Sequence, residues 1–162
     1  MTYRTTSWID PRLEVRPSAI DGWGLFARAP IAAGDPVVMW GGEVVRVWRK
    51  GSVAVDEGRY LTGPGDASDR MNHSCDPTVW MLDEVTLVAR RALTAGEETT
   101  ADYVLWEADQ AWVARWHCRC GTSVCRGVVT GRDWRLPALQ ARYAGRFSPF
   151  LEARIARLRA ES

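Results

Sequence analysis

Short β-branched and apolar runs, each closed by Gly, Pro or Asp, recur through the first hundred residues, and that rhythm points to a sheet of short strands. The runs are Leu13–Val15, Leu25–Ala27, Val37–Trp40, Val44–Val47, Val85–Ala89 and Thr99–Tyr103. Turn sequences such as Ile20-Asp21-Gly22, Gly34-Asp35-Pro36 and Gly63-Pro64-Gly65 separate them. After Pro137 the period changes. Leu151, Ile155 and Leu158 fall at i, i+4 and i+7, one stripe of an amphipathic helix, with breaks expected around Gly145 and Ser148-Pro149. That helix is expected to cap the body rather than to bind a partner. A further helical stretch is expected near Glu107–Arg115. The fold class is therefore mainly β with a helical C-terminal tail.

A chain of 162 residues fits one compact domain, and 46% apolar with 25% charged residues is ordinary for a globular protein. No apolar run approaches the ~18 residues that span a bilayer, and residues 1–12 carry no signal-like stretch. A cytoplasmic protein is expected, or a nuclear one in a eukaryotic host, with no membrane partner. Net charge is +1, without the strongly basic footprint of a nucleic-acid binder. The charge is unevenly spread: residues 126–162 carry eight Arg against Asp133, Glu152 and Glu161, while residues 1–125 carry a net −4. An acidic body suits a basic, Lys-rich partner, although two solvated surfaces explain it as well. Lys50 is the single lysine, a bias that fits a GC-rich, bacterial genome. Oligomeric state is not legible.

The four cysteines belong to one question. Cys118, Cys120 and Cys125 put three thiols in a C-x-C-x4-C loop, and Cys75 lies far upstream. Thiolates suit tetrahedral zinc, and such a loop can wrap three of them round one ion. On spacing alone a disulfide framework and unliganded buried thiols remain open, and His73 and His117 compete as ligands.

Three further segments carry polar chemistry. Gly22 and Gly24 flank Trp23 just before an apolar strand, where glycine lets backbone approach a ligand and the indole can face a cation. Arg70-Met71-Asn72-His73-Ser74-Cys75-Asp76-Pro77 is a polar run rich in hydrogen-bonding groups. Gly96-Glu97-Glu98-Thr99-Thr100-Ala101-Asp102-Tyr103 is a turn leading into a strand that ends on tyrosine. Each alone reads as a turn, a loop or an edge strand.

Taken in order with Cys118–Gly127, these segments resemble the SET-domain protein-lysine methyltransferases with their post-SET zinc loop, over about residues 12–130. The resemblance implies a β-clip-like, pseudoknotted fold. It divides the chain into a SET domain at 12–115, a post-SET loop at 116–130 and a helical extension at 131–162. It implies zinc held by Cys75, Cys118, Cys120 and Cys125, and S-adenosylmethionine held by Gly22, Trp23, Gly24, Asn72 and His73, with Tyr60 nearby and Val128 and Val129 over the adenine. Tyr103 is implied as the catalytic tyrosine, and the partner as a protein with an accessible lysine.

Departures from the family pattern accompany the matches. Thr78 stands where Asn is common, Asp69 where an Arg is often found, and Trp40 where the Tyr-x-Gly-Glu strand carries tyrosine. Ala101 replaces an aromatic that narrows the lysine channel, so more than one methyl would fit unless Trp40 refills the space. Two other functions stay in view: a SET-fold binding module with structural zinc and no catalysis, and a zinc-stabilised nucleic-acid binder using the basic tail.

Overall fold

The computed structural model describes residues 2–161; Met1, and Ser162 at the end of the expected helical extension, lie outside them. Among the described residues the strands are β1 (Trp8–Ile9), β2 (Leu13–Pro17), β3 (Trp23–Ala27), β4 (Pro36–Met39), β5 (Glu43–Val45), β6 (Val53–Asp56), β7 (Arg59–Thr62), β8 (Asn72–His73), β9 (Val79–Met81), β10 (Thr86–Ala89) and β11 (Glu98–Ala101). Two helices follow, α1 (Pro137–Arg142) and α2 (Pro149–Ala160). Every run singled out from the sequence contains or overlaps a strand. The mainly β class with a helical tail holds.

The larger sheet runs β1-β4-β10-β9-β11-β3-β2, with β8 also paired to β11, and a three-stranded sheet runs β5-β7-β6. Its interior strand β10 is buried at every position, which explains its unbroken Thr-Leu-Val-Ala run. β2 buries only Leu13 and lies at the opposite edge. β8 and β9 both run parallel to β11, although β9 follows β8 closely in sequence. The loop between them carries Cys75, whose carbonyl accepts from Arg142 Nη1 at 3.0 Å. The 72–81 segment therefore passes between β11 and the C-terminal part, the threading implied by the family resemblance.

The tail packs as a cap. Ser148 Oγ accepts from Leu151 N and Pro149 opens α2, a favourable N-terminus. Leu151 and Ile155 are buried, and Arg154 reaches Ala108 O at 3.2 Å and the Glu57 carboxylate at 2.8 Å.

The helix expected near Glu107–Arg115 is absent. Its backbone groups are taken by the tail: Ala114 N donates to Val129 O at 2.9 Å, and Gly131 N to Trp112 O at 3.0 Å. Val113 forms an isolated antiparallel bridge with Thr130. Gly131 lies so close to the Asp109 carbonyl that any Cβ there would collide with it. Long-range pairing of this kind leaves no periodic signature in the segment itself.

Candidate functional site

β3, β8 and the end of β11 bring together Gly22–Gly24, Asn72–His73 and Tyr103. Gly24 is buried, and a Cβ there would run into the Glu98 carboxylate and within 3.2 Å of Asn72 Nδ2. Only glycine lets β3 pass this close. Gly22 has φ +45° with open space beside it, and Trp23 is 51% exposed. Asn72 Nδ2 donates to Glu98 Oε1 at 2.7 Å and to the carbonyls of Asp21 and Trp23 at 3.1 Å each. Ser18 Oγ donates to the same carboxylate at 2.8 Å. Among the described residues no protein donor reaches Asn72 Oδ1, so that acceptor is free for a ligand.

His73 is buried, and burial pushes its imidazole down to about 4, against the pull of Asp102. It is therefore neutral. Its Nδ1 accepts the Tyr103 main-chain N–H at 3.3 Å, which leaves the proton on Nε2, 3.3 Å from Cys75 Sγ.

Tyr103 follows β11 in a 3-10 turn, Tyr103–Leu105, capped by the Asp102 carboxylate on Val104 N at 3.1 Å. Its hydroxyl donates to Met71 O at 2.8 Å. Burial, helped by the Asp21 and Glu98 carboxylates, raises its pKa above the ordinary tyrosine value, so the hydroxyl stays protonated. The ring packs on His73 at 5.1 Å, Trp106 at 5.4 Å and Trp116 at 6.2 Å between centroids. Trp40 meets Trp106 edge-on at 4.8 Å. Aromatic walls thus surround the tyrosine on several sides.

The four thiols converge. The sulfurs of Cys75, Cys118, Cys120 and Cys125 all lie within 4.8 Å of one another, and the four can hold one metal ion. None is in a disulfide, which removes the disulfide framework. Among the described residues His73 meets this cluster through Cys75 Sγ alone, and His117 is exposed outside it.

Tyr60, Val128, Val129 and Ala101 complete the expected set. Tyr60 is half-buried in β7 of the smaller sheet, with no hydrogen bond or ring contact to Asn72, His73 or Tyr103 among the described residues. Val129 is fully buried while Val128 is 46% exposed. Ala101 has no exposed surface and stands opposite His73 and Val79.

Other residues complete the site although no individual role was expected of them. Glu98 orients Asn72. Arg126 sets Nη1 and Nη2 on the fully buried Asp102 carboxylate, each at 2.7 Å, and Nε on Asp133 at 2.9 Å. Trp106 and Trp116 build the aromatic walls. The sequence signals available were the pair Asp102-Tyr103 at the end of a strand and an arginine directly after the last cysteine.

Known proteins resemble this arrangement. The family model described as SET domain matches residues 22–104. The chain is 33% identical to "Histone-lysine N-methyltransferase ash1" of Drosophila melanogaster, over 85% of this chain and 7% of that protein. It is 32% identical to "Histone-lysine N-methyltransferase ATX2" of Arabidopsis thaliana, over 75% of this chain and 13% of that protein. It therefore spans a small fraction of either relative. Its fold is similar to that of KRYPTONITE crystallised with mCHG DNA and SAH, with a TM-score of 0.61 and 26% identity over 74% of this chain and 29% of that one.

Proposed function

The chain belongs to the SET domain family, and on that basis we propose that it transfers a methyl group from S-adenosylmethionine to a lysine side chain of a protein substrate. The observation that carries this reading is the meeting of Tyr103, His73, Asn72 and Gly24, from three distant segments, beside a four-cysteine centre. The methyltransferase names of the relatives and the SAH in the KRYPTONITE crystal support it.

S-adenosylmethionine supplies a methyl group on a positively charged sulfur. Gly22, Trp23 and Gly24 would hold it through backbone and the exposed indole, and Asn72 through its free Oδ1. Tyr60 would come into play only from the neighbouring sheet. A lysine amine attacks only when neutral, and its reference pKa of about 10.4 makes that form scarce in water at pH 7. A substrate amine brought between Tyr103, Trp106, Trp40 and Trp116 would be shielded from water, which disfavours the ammonium form. The protonated Tyr103 hydroxyl donates to the Met71 carbonyl, and its oxygen would accept an N–H of the amine and orient it for transfer. The proton lost from the lysine leaves through water, so no side-chain base is required.

The four cysteines fit structural zinc. Tetrahedral Zn–S bonds of about 2.3 Å give sulfur–sulfur edges of about 3.8 Å. Cys75 and Cys118 sulfurs stand 3.8 Å apart. Residues 116–130 then act as a post-SET loop between a SET domain at 12–115 and the helical extension. The acidic balance of residues 1–125 supports a basic protein segment as substrate.

Titration calorimetry with SAH tests the cofactor half of this reading directly. One molecule per chain should bind, and Asn72→Ala should weaken it. Absence of binding by zinc-loaded, folded protein would overturn the reading.

A further inference from the structure

Residues 115–128 contain no buried position, so the cysteine loop has no apolar core of its own. Among the described residues it meets the rest of the molecule through the Trp116 ring on His73 and Tyr103, through Cys75, and through Arg126. Arg126 makes several of these links at once. Its main-chain N–H donates to Cys75 Sγ at 3.3 Å, while its guanidinium spans Asp102 and Asp133.

Asp102 is the group that needs this cation. It is wholly buried, it caps the turn that carries Tyr103, and it also accepts the Tyr143 hydroxyl at 3.0 Å. A buried carboxylate deprived of its cation is strongly destabilised, whereas one held by a bidentate arginine is fixed in place. The loop that delivers Arg126 is ordered by thiolates gathered round a metal, because it buries too little apolar surface to order itself.

We propose that Arg126 is a positioning residue that couples the metal centre to Tyr103: metal holds the loop, the loop holds Arg126 on Asp102, and Asp102 holds the Tyr103–Leu105 turn. This rests on the zinc reading above and goes beyond it. The metal then does more than order the cysteine loop, since its loss releases the backbone under the catalytic tyrosine.

Hydrogen exchange read by mass spectrometry tests the route without cofactor or substrate. In the wild-type chain, chelation of zinc should speed exchange of the 103–105 amides by about tenfold or more, while β10 stays protected. Arg126→Ala with one zinc still bound by native mass spectrometry should already exchange at the chelated rate there. Arg126→Lys, which keeps the charge and is the milder variant should Ala fail to fold, should restore part of the protection. Three results would overturn the proposal: unchanged 103–105 exchange on chelation, wild-type protection in zinc-loaded Arg126→Ala or, where that variant does not fold, an Arg126→Lys rate equal to wild type, or a rise spread equally through β10. A chain that never carries zinc would instead overturn the zinc reading, and the two failures are told apart by the native mass.

Discussion

The Glu98 carboxylate takes the Asn72 amide at 2.7 Å, and the two residues lie on paired strands, with Asn72 in β8 and Glu98 in β11. Because Oε1 accepts Nδ2, the orientation of the Asn72 amide is fixed and its carbonyl oxygen is turned away from the carboxylate. Glu98→Ala should therefore leave the sheet intact and loosen that orientation. Losing a hydrogen bond to a charged group should weaken SAH binding by about tenfold or more. Calorimetry on the folded variant measures it.

Cys75→Ser removes one of four thiolates from the metal cluster and is expected to abolish stoichiometric zinc in native mass spectra. With about 3 kcal/mol of metal-coupled stability lost, the melting temperature should fall by roughly 5–10 °C. An unchanged melting temperature with zinc still present would show that three thiolates suffice.

Glu107 gives a pH signature. Burial, with Asp109 close by, pushes its carboxyl up to about 7, although Trp48 Nε1 and Asp109 N donate to it at 3.1 and 2.9 Å. A carboxyl whose folded pKa lies above its unfolded value binds more protons when folded. It therefore lowers stability as pH rises from about 4.5 to 7. Glu107→Gln keeps an acceptor for Trp48 and cannot ionise. Chemical denaturation should find it more stable than wild type at pH 8, by up to roughly 3 kcal/mol, and equal to it near pH 4.

Ala101 has no exposed surface. The wide channel expected from a small residue here is therefore not an open space at this position, and a tyrosine would have to displace packed neighbours. Ala101→Tyr should cost about 1–3 kcal/mol in thermal or chemical denaturation. A neutral result would mean that the neighbours part readily and that the position can control channel width after all.

Of the larger sheet, β1 and β9 were not among the runs read as strands, whereas β2, β3, β4, β10 and β11 were legible as short runs between turn residues. β8 was not, since Asn72 and His73 form a strand only by pairing with β11, a partner distant in sequence. The same holds for 107–115, whose backbone is claimed by residues 129–131. The cysteine set was legible as a set, while its convergence required the threading of Cys75 beneath the tail. Arg126 and Glu98 stood in plain view within motifs. Their roles depend on which carboxylate and which amide they meet, and no local pattern encodes that.

The most direct test of the central claim is incubation of the zinc-loaded protein with methyl-labelled S-adenosylmethionine and a host-cell lysate, followed by mass-spectrometric mapping of the label. Label should appear on lysine Nζ of one or a few proteins. It should be lost or severely reduced with Tyr103→Phe, which keeps the ring packing on His73 and Trp106 and removes only the hydroxyl held by Met71. Label on no lysine despite bound cofactor, or equal labelling by Tyr103→Phe, would contradict the account.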